Sequence, residues 1–431
     1  MSFIALHFNS SLLIFSLVVI WTPLNLSEYY STLEFHYTRL DIINYWILLI
    51  ILSITTLACI ASGSCRNESL LIRIFLLNLF ICIIILKVSH LVVFYILFEL
   101  AALPILIIIL GWGNQPEKVS ASLYIFLYTV ISSAPIISSF IFIILNSPGT
   151  SLLIFNLTQT VQRNSCFILI SVLTSLGIIV KLPIFLVHNW LPKAHVEAPV
   201  FGSIILAGIL LKLGAVALIR MNCYTFNIKV LRVFASISFI GLLAVSILVL
   251  AKTDIKQIVA YSSILHMAFP VVIFELSTST RTITFVLALI THAFSSSGIF
   301  YIVFCFYSKV GSRRTILIKG SSLSSPRMIF FWLLIVVARL GGPPTVNLLV
   351  ELIVILLSFH SFGAIIILIL IPCVAICAFH LIIYASPTQN TPEVLNFCEQ
   401  QSFCSNSNLI CLSHSILVVA CLLIVPVLLS L

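Results

Sequence analysis

The sequence predicts an all-α protein, a polytopic transmembrane helix bundle of about 13–14 spans with two broken helices. Hydrophobic residues make up 61% of the 431 residues and charged residues only 8%, whereas soluble domains carry about a quarter charged residues. A chain this apolar cannot cover its surface with polar residues, and its solvent must therefore be lipid. The apolar runs are continuous and lack an alternating pattern, which argues against a β-barrel.

The spans follow from length, because about 20 apolar residues cross the hydrocarbon core as a helix. Roughly 13 runs meet this rule. They cover about 3–21, 43–61, 70–88, 91–111, 121–145, 167–187, 199–221, 231–251, 256–276, 282–307, 328–358, 362–384 and 409–430. The eleventh run is too long for one span and contains Pro343 and Pro344, which predicts a broken helix. A second interruption lies at Lys181–Pro183, and paired broken helices are typical of inverted-repeat transporters.

Charge and cysteine patterns exclude several classes of protein. The net charge is +9, but most Lys and Arg lie in connecting loops, which indicates orientation in the membrane rather than nucleic-acid binding. The twelve cysteines form no CxxC pair and no Cys/His ligand set. Without a GxGxxG motif or a P-loop, we expect no nucleotide, metal, haem or iron–sulfur cluster in this chain.

Ionisable residues inside the apolar runs are the candidate functional residues. Each costs about 2.5–3.5 kcal/mol at the centre of a membrane helix, so each needs a partner, water or a function. Six positions stand out: Glu99, Lys181, Lys212, His266, His292 and Glu351. They include acids, lysines and histidines without a nucleophile–base–orienter pattern, which favours proton transfer over hydrolysis.

Each candidate also has a plainer interpretation. Glu99 could form a static ion pair, and Lys181, just before a proline, could extend its ammonium to the membrane surface. Lys212 lies too deep for that, and a buried lysine can release and regain a proton near neutral pH. Glu351 follows the second break, as a gating acid would. The two histidines could relay protons or be ordinary core residues.

Several long strings resemble the chain 4 family of NADH–ubiquinone oxidoreductase, respiratory complex I. They include Lys181-Leu182-Pro183, His188–Val200, Leu210–Gly214, Thr253–Lys256, Ala260–Met267 and Pro343–Leu349 with Glu351. The resemblance covers roughly residues 90–390 and implies an antiporter-like fold of inverted repeats. Glu99 and Lys181 then match an interacting acid–lysine pair, Lys212 the central lysine of a proton channel, and Glu351 the terminal acid. His292 and His266 match the links between them, while the role of Lys256 is open.

The resemblance also implies the setting. The chain would be one membrane domain, with N-terminal helices over 1–90, a proton-translocating core over 91–390 and a C-terminal loop and helix over 391–431. It would pump protons across the inner mitochondrial membrane beside other membrane-arm subunits, and would not function alone. FMN and iron–sulfur clusters would belong to partner subunits, where NADH reduces ubiquinone. The alternatives are a monovalent cation/proton antiporter subunit and a structural scaffold.

Two departures from the family are visible. Val350 replaces the usual glycine before Glu351, and Arg339 lies in an unusually polar position. The family has 14 spans where this sequence shows one fewer before Glu99. Because Lys and Arg concentrate in inner loops, the expectation is an N-terminus in the matrix and a C-terminus in the intermembrane space.

Overall fold

The computed structural model describes residues 35–63, 67–88, 90–146, 165–225, 228–276, 281–318, 326–343, 345–362 and 405–429. These residues form helices joined by short turns, with one isolated β-bridge between Asp254 and Arg314. The predicted all-α class is confirmed.

The helices are, in chain order, α1 (Phe35–Ala61), α2 (Glu68–Lys87), α3 (Leu91–Leu100), α4 (Leu103–Trp112), α5 (Lys118–Asn146), α6 (Ser165–Lys181), α7 (Trp190–Glu197), α8 (Val200–Ile205), α9 (Leu211–Thr225), α10 (Ile228–Leu250), α11 (Ile255–Leu276), α12 (Arg281–Val310), α13 (Thr315–Ile318), α14 (Pro326–Arg339), α15 (Val346–Phe362) and α16 (Ser405–Leu429). A π-helical turn, Leu206–Leu210, joins α8 to α9.

The membrane spans agree with the apolar runs wherever the structure describes them. Eight helical segments of the described residues are long and apolar enough to cross a membrane, and three shorter apolar helices accompany them. The shorter ones, Ile168–Lys181, Val346–Leu356 and Asn408–Leu422, correspond to the sixth run, part of the eleventh and the last. The runs at 3–21 and, apart from its first residue, 362–384 lie outside the described residues.

The two predicted broken helices are confirmed, between α6 and α7 and between α14 and α15. A break in a membrane helix leaves buried carbonyls that need donors. At each break, a side chain that follows it in the sequence donates a hydrogen bond to such a carbonyl. The Trp190 indole donates to the carbonyl of Val180 over 3.0 Å, and the Asn347 amide donates to the carbonyl of Arg339 over 2.6 Å.

The run at 91–111 is one membrane span, Val92–Trp112, as predicted, but its pattern of helical hydrogen bonds is interrupted once. The structure turns at Ala101 and Ala102, between α3 and α4. Pro104 has no N–H to give to the preceding turn, so the regular pattern ends there. The Ala102 N–H donates to the carbonyl of Glu99 over 3.2 Å, one residue short of the α-helical acceptor. The carbonyl of Phe98 is thereby released from its helical role.

The core of the bundle is α12, which packs against α1, α8, the π turn, α11, α14, α15 and α16. The apolar stretches of Val200–Arg220 and Ile283–Val310 are entirely buried. By contrast, only a third of the apolar stretch in Glu68–Lys87, and a third of that in Lys118–Phe142, is buried. Large apolar side chains cover these outer helices, with Phe80 63% and Ile131 68% exposed, as expected for a protein surrounded by lipid or by other membrane subunits.

Candidate functional site

The first part of the site is an acid–lysine contact between two helix ends. Glu99 lies near the end of α3, Lys181 is the last residue of α6, and the Lys181 Nζ is 2.8 Å from a Glu99 carboxylate oxygen. The Lys181 side chain is 6% exposed and the Glu99 side chain is 23% exposed. The structure therefore brings together the two residues that the resemblance pairs, although 82 positions separate them.

Lys181 has two further partners, both from Phe98. Its ammonium donates to the Phe98 carbonyl over 3.2 Å and lies 3.6 Å from the centre of the Phe98 ring. This carbonyl is the one released by the turn at Ala101 and Ala102. The irregular turn between α3 and α4 thus builds part of the lysine site, and the ammonium contacts a carboxylate, a carbonyl and a ring face.

The second part is a lysine–histidine contact in the centre of the bundle. The Lys212 side chain is fully buried, and its Nζ lies 2.6 Å from Nδ1 of His292 on α12. It also donates to the carbonyl of Ala207 over 2.7 Å. Ala207 belongs to the π turn, where the Leu211 N–H donates to the carbonyl of Leu206. Such turns are rare and often occur at functional sites.

His266 extends this contact to a third helix. Its ring centre on α11 is 6.2 Å from that of His292, and the two residues are 7% and 2% exposed. Nε2 of His292 has no hydrogen-bond partner in the described part of the chain. Lys212, His292 and His266 therefore form a buried row of groups that can each hold a proton.

Glu351 lies at the second break, as predicted. Its carboxylate rests against Gly341, where an added methyl group would lie 2.6 Å from a carboxylate oxygen. Gly341 has a φ of +68°, which favours glycine, so the turn needs this residue for both backbone and space. The helix of Glu351 packs on α11 and α12, but no described hydrogen bond joins its carboxylate to Lys212 or His292.

One further buried residue, His195, was missed as a candidate here. His195 is fully buried on α7, and its ring stacks on Phe300 with centres 4.4 Å apart. Phe300 also lines a cavity of about 770 Å³ that reaches Glu197 and Arg313. His195 lay within a recognised motif, but no sequence signal separated it from an ordinary core histidine. Among the described residues, no group of three or more His, Cys, Asp or Glu could hold a metal ion.

Lys256, whose role the sequence left open, contacts the end of α7. Its ammonium donates to the carbonyls of Val196 and Ala198, over 3.0 and 2.5 Å. Arg313 donates to the same Val196 carbonyl over 3.1 Å. Cations at the carbonyl end of a helix are favourable, so both side chains stabilise the end of α7.

The fold and these contacts define a class: polytopic membrane proteins with broken helices and buried ionisable residues. The family model "NADH:quinone oxidoreductase/Mrp antiporter, TM" matches residues 88–387. The chain belongs to this family.

Its relatives and a solved structure agree. "NADH-ubiquinone oxidoreductase chain 4" of Ceratitis capitata is 35% identical over 324 residues, covering 74% of this chain and 71% of the relative. The protein of the same name from Locusta migratoria is 33% identical over 361 residues, covering 81% and 78%. A chain of respiratory complex I from Thermus thermophilus with bound NADH matches the fold with a TM-score of 0.75 and 19% identity, covering 89% of this chain and 80% of that chain.

Proposed function

We propose that this chain carries protons through the membrane arm of respiratory complex I, in the inner mitochondrial membrane, by way of its buried lysine–histidine row. NADH oxidation and ubiquinone reduction then take place on partner subunits, which hold FMN and the iron–sulfur clusters. The proton-translocating core is residues 91–390, a range supported by the family match over 88–387. Other membrane-arm subunits are its partners, and the chain does not function alone.

The observation that carries the proposal is the contact of Lys212 with His292. A lysine and an imidazole nitrogen 2.6 Å apart can share and exchange one proton. No described ion pair balances Lys212, and burying an unpaired ammonium is costly. Such a residue is best explained by a function that needs its charge to come and go.

The Glu99–Lys181 pair controls that exchange in this proposal. When the pair is closed, the carboxylate balances the Lys181 charge. When it opens, the unbalanced charge disfavours a second charge nearby and drives the proton from Lys212. The proton then moves through His292 and His266 towards Glu351, and redox energy from elsewhere in the complex opens the pair.

The test is Lys212→Ala in the whole complex, reconstituted in vesicles. We expect NADH-driven acidification to be lost or severely reduced, while a native gel shows normal assembly. The matched control is Lys193→Ala, since Lys193 is an exposed lysine on α7 and its loss leaves the row intact. Near-normal pumping by the Lys212 variant would refute the proposal.

A second candidate function is monovalent cation/proton antiport, since the description of the family model also names Mrp antiporters. Vesicles that contain the complex separate the two. Sodium movement that depends on this chain, without NADH, would favour the antiporter. Acidification that depends on NADH and is indifferent to sodium favours proton pumping.

A further inference from the structure

His414 on α16 is a buried histidine that the mechanism above does not use. It is fully buried, and its Nδ1 lies 3.3 Å from the hydroxyl oxygen of Ser297 on α12. Its ring stacks on Tyr301, with centres 6.3 Å apart. A methyl group on Gly298 would lie 3.2 Å from the His414 Cβ, so the glycine lets the two helices approach here.

The hydrogen bonds of Ser297 favour one tautomer of the ring. The Ser297 hydroxyl donates to the carbonyl of Phe294 over 3.1 Å, so its oxygen accepts from Nδ1–H of His414. The free lone pair is then on Nε2. This nitrogen is buried and has no hydrogen-bond partner among the residues that the structure describes, an arrangement that is rare for a merely structural group.

His414 lies between the helix of His292 and the second broken helix. Ser296 and Ser297 follow His292 by about one helical turn on α12. The same methyl group on Gly298 would lie 3.0 Å from a side-chain carbon of Ile335, which is one turn before α14 ends at the second break. Helix α16 packs on α12, α14 and α15. His414 thus lies where the helix of His292 meets the broken helix that holds Glu351.

We propose that His414 is a further proton-carrying residue, which links Ser296 and Ser297 of α12 to the second broken helix. The ring takes up one proton at Nε2 and passes one on from Nε2, while Nδ1–H stays on the Ser297 oxygen, so its charge and its tautomer are unchanged after each passage. This inference rests on the proposed proton pumping. It adds α16 to a route that otherwise uses only the helices of the core.

The test compares His414→Gln and His414→Phe in the reconstituted complex. Glutamine can keep a bond to Ser297 but cannot take up a proton, and phenylalanine can keep the stack on Tyr301. We expect each to lower the pumping rate by about 100-fold or more, the scale of losing one proton-transfer group, with normal assembly on native gels. The matched control, Ser415→Ala, loses only a hydroxyl bonded to its own helix and should pump normally.

The outcomes are separable when Lys212→Ala is measured alongside. Normal pumping by His414→Gln with loss in Lys212→Ala overturns the role of His414 alone. Loss in His414→Phe but not in His414→Gln shows that only the hydrogen bond to Ser297 is needed, and it also overturns the role of His414 in proton transfer. Normal pumping in all three variants overturns the proposed function itself.

Discussion

Glu99→Gln and Lys181→Met, made singly and together, test whether the acid–lysine pair acts as one unit. The 2.8 Å contact predicts that each single change costs much activity, because each leaves the other partner without its counter-charge. The double variant removes both charges at once. Its loss should therefore be far smaller than the sum of the two single losses.

The size of this coupling follows from the contacts of Lys181. Breaking a buried ion pair costs about 3–5 kcal/mol. Glu99→Gln leaves Lys181 its bond to the Phe98 carbonyl, and a hydrogen bond to a charged group is worth about 1.5–3 kcal/mol. Residues in contact couple by about 0.5–3 kcal/mol, and we expect about 2 kcal/mol for this pair. That corresponds to roughly a 30-fold change in rate.

The assay is the initial rate of NADH-driven acidification in vesicles, with each ratio of rates converted to a free energy. The control cycle replaces Lys181→Met by Lys193→Met, because Lys193 is exposed and lies over the ring of Tyr124 rather than at Glu99. That control should be additive. Additive losses in the Glu99–Lys181 cycle as well would show that the two residues do not work as a pair.

Two further predictions follow from other parts of the structure. Trp190→Phe and Asn347→Leu each remove the donor that satisfies a carbonyl at a break, so each should lower the free energy of unfolding by about 1–3 kcal/mol. A lower thermal midpoint of the assembled complex would show this, and unchanged midpoints would contradict it. The purified chain alone should show no flavin, haem or iron–sulfur absorbance, since the cysteines lack ligand spacing; stoichiometric iron or a cluster spectrum would refute this.

Much of the fold could be predicted because lipid imposes simple rules. Continuous apolar runs have few interpretations in a chain with so few charges, and the prolines at 183, 343 and 344 marked two breaks. The turn at Ala101 and Ala102 was missed because Pro104 lies within an otherwise uninterrupted apolar run, and proline is tolerated in many membrane helices.

The site was predictable in its members rather than in its contacts. A charge inside an apolar run is visible in the sequence, so Lys212 could be singled out by depth alone. That its ammonium would meet His292 depends on how two helices pack, and the π turn that offers the carbonyl of Ala207 leaves no local signature. His195 and His414 were missed for the same reason, since the role of a buried histidine depends on the residues around it, which the sequence does not show.

The packing of Gly214 against the first break has a mechanical consequence. A methyl group on Gly214 would lie 3.4 Å from the backbone carbonyl carbon of Lys181 and 3.3 Å from a side-chain carbon of Leu182. Gly214 is two residues from Lys212 on α9, and α9 packs on α6, so the helix that carries Lys212 lies closely against the first break. Packing between two helices transmits a displacement equally well at any ionic strength. A shift of the broken helix would therefore push on α9 directly, and salt that screens charges would leave that linkage intact.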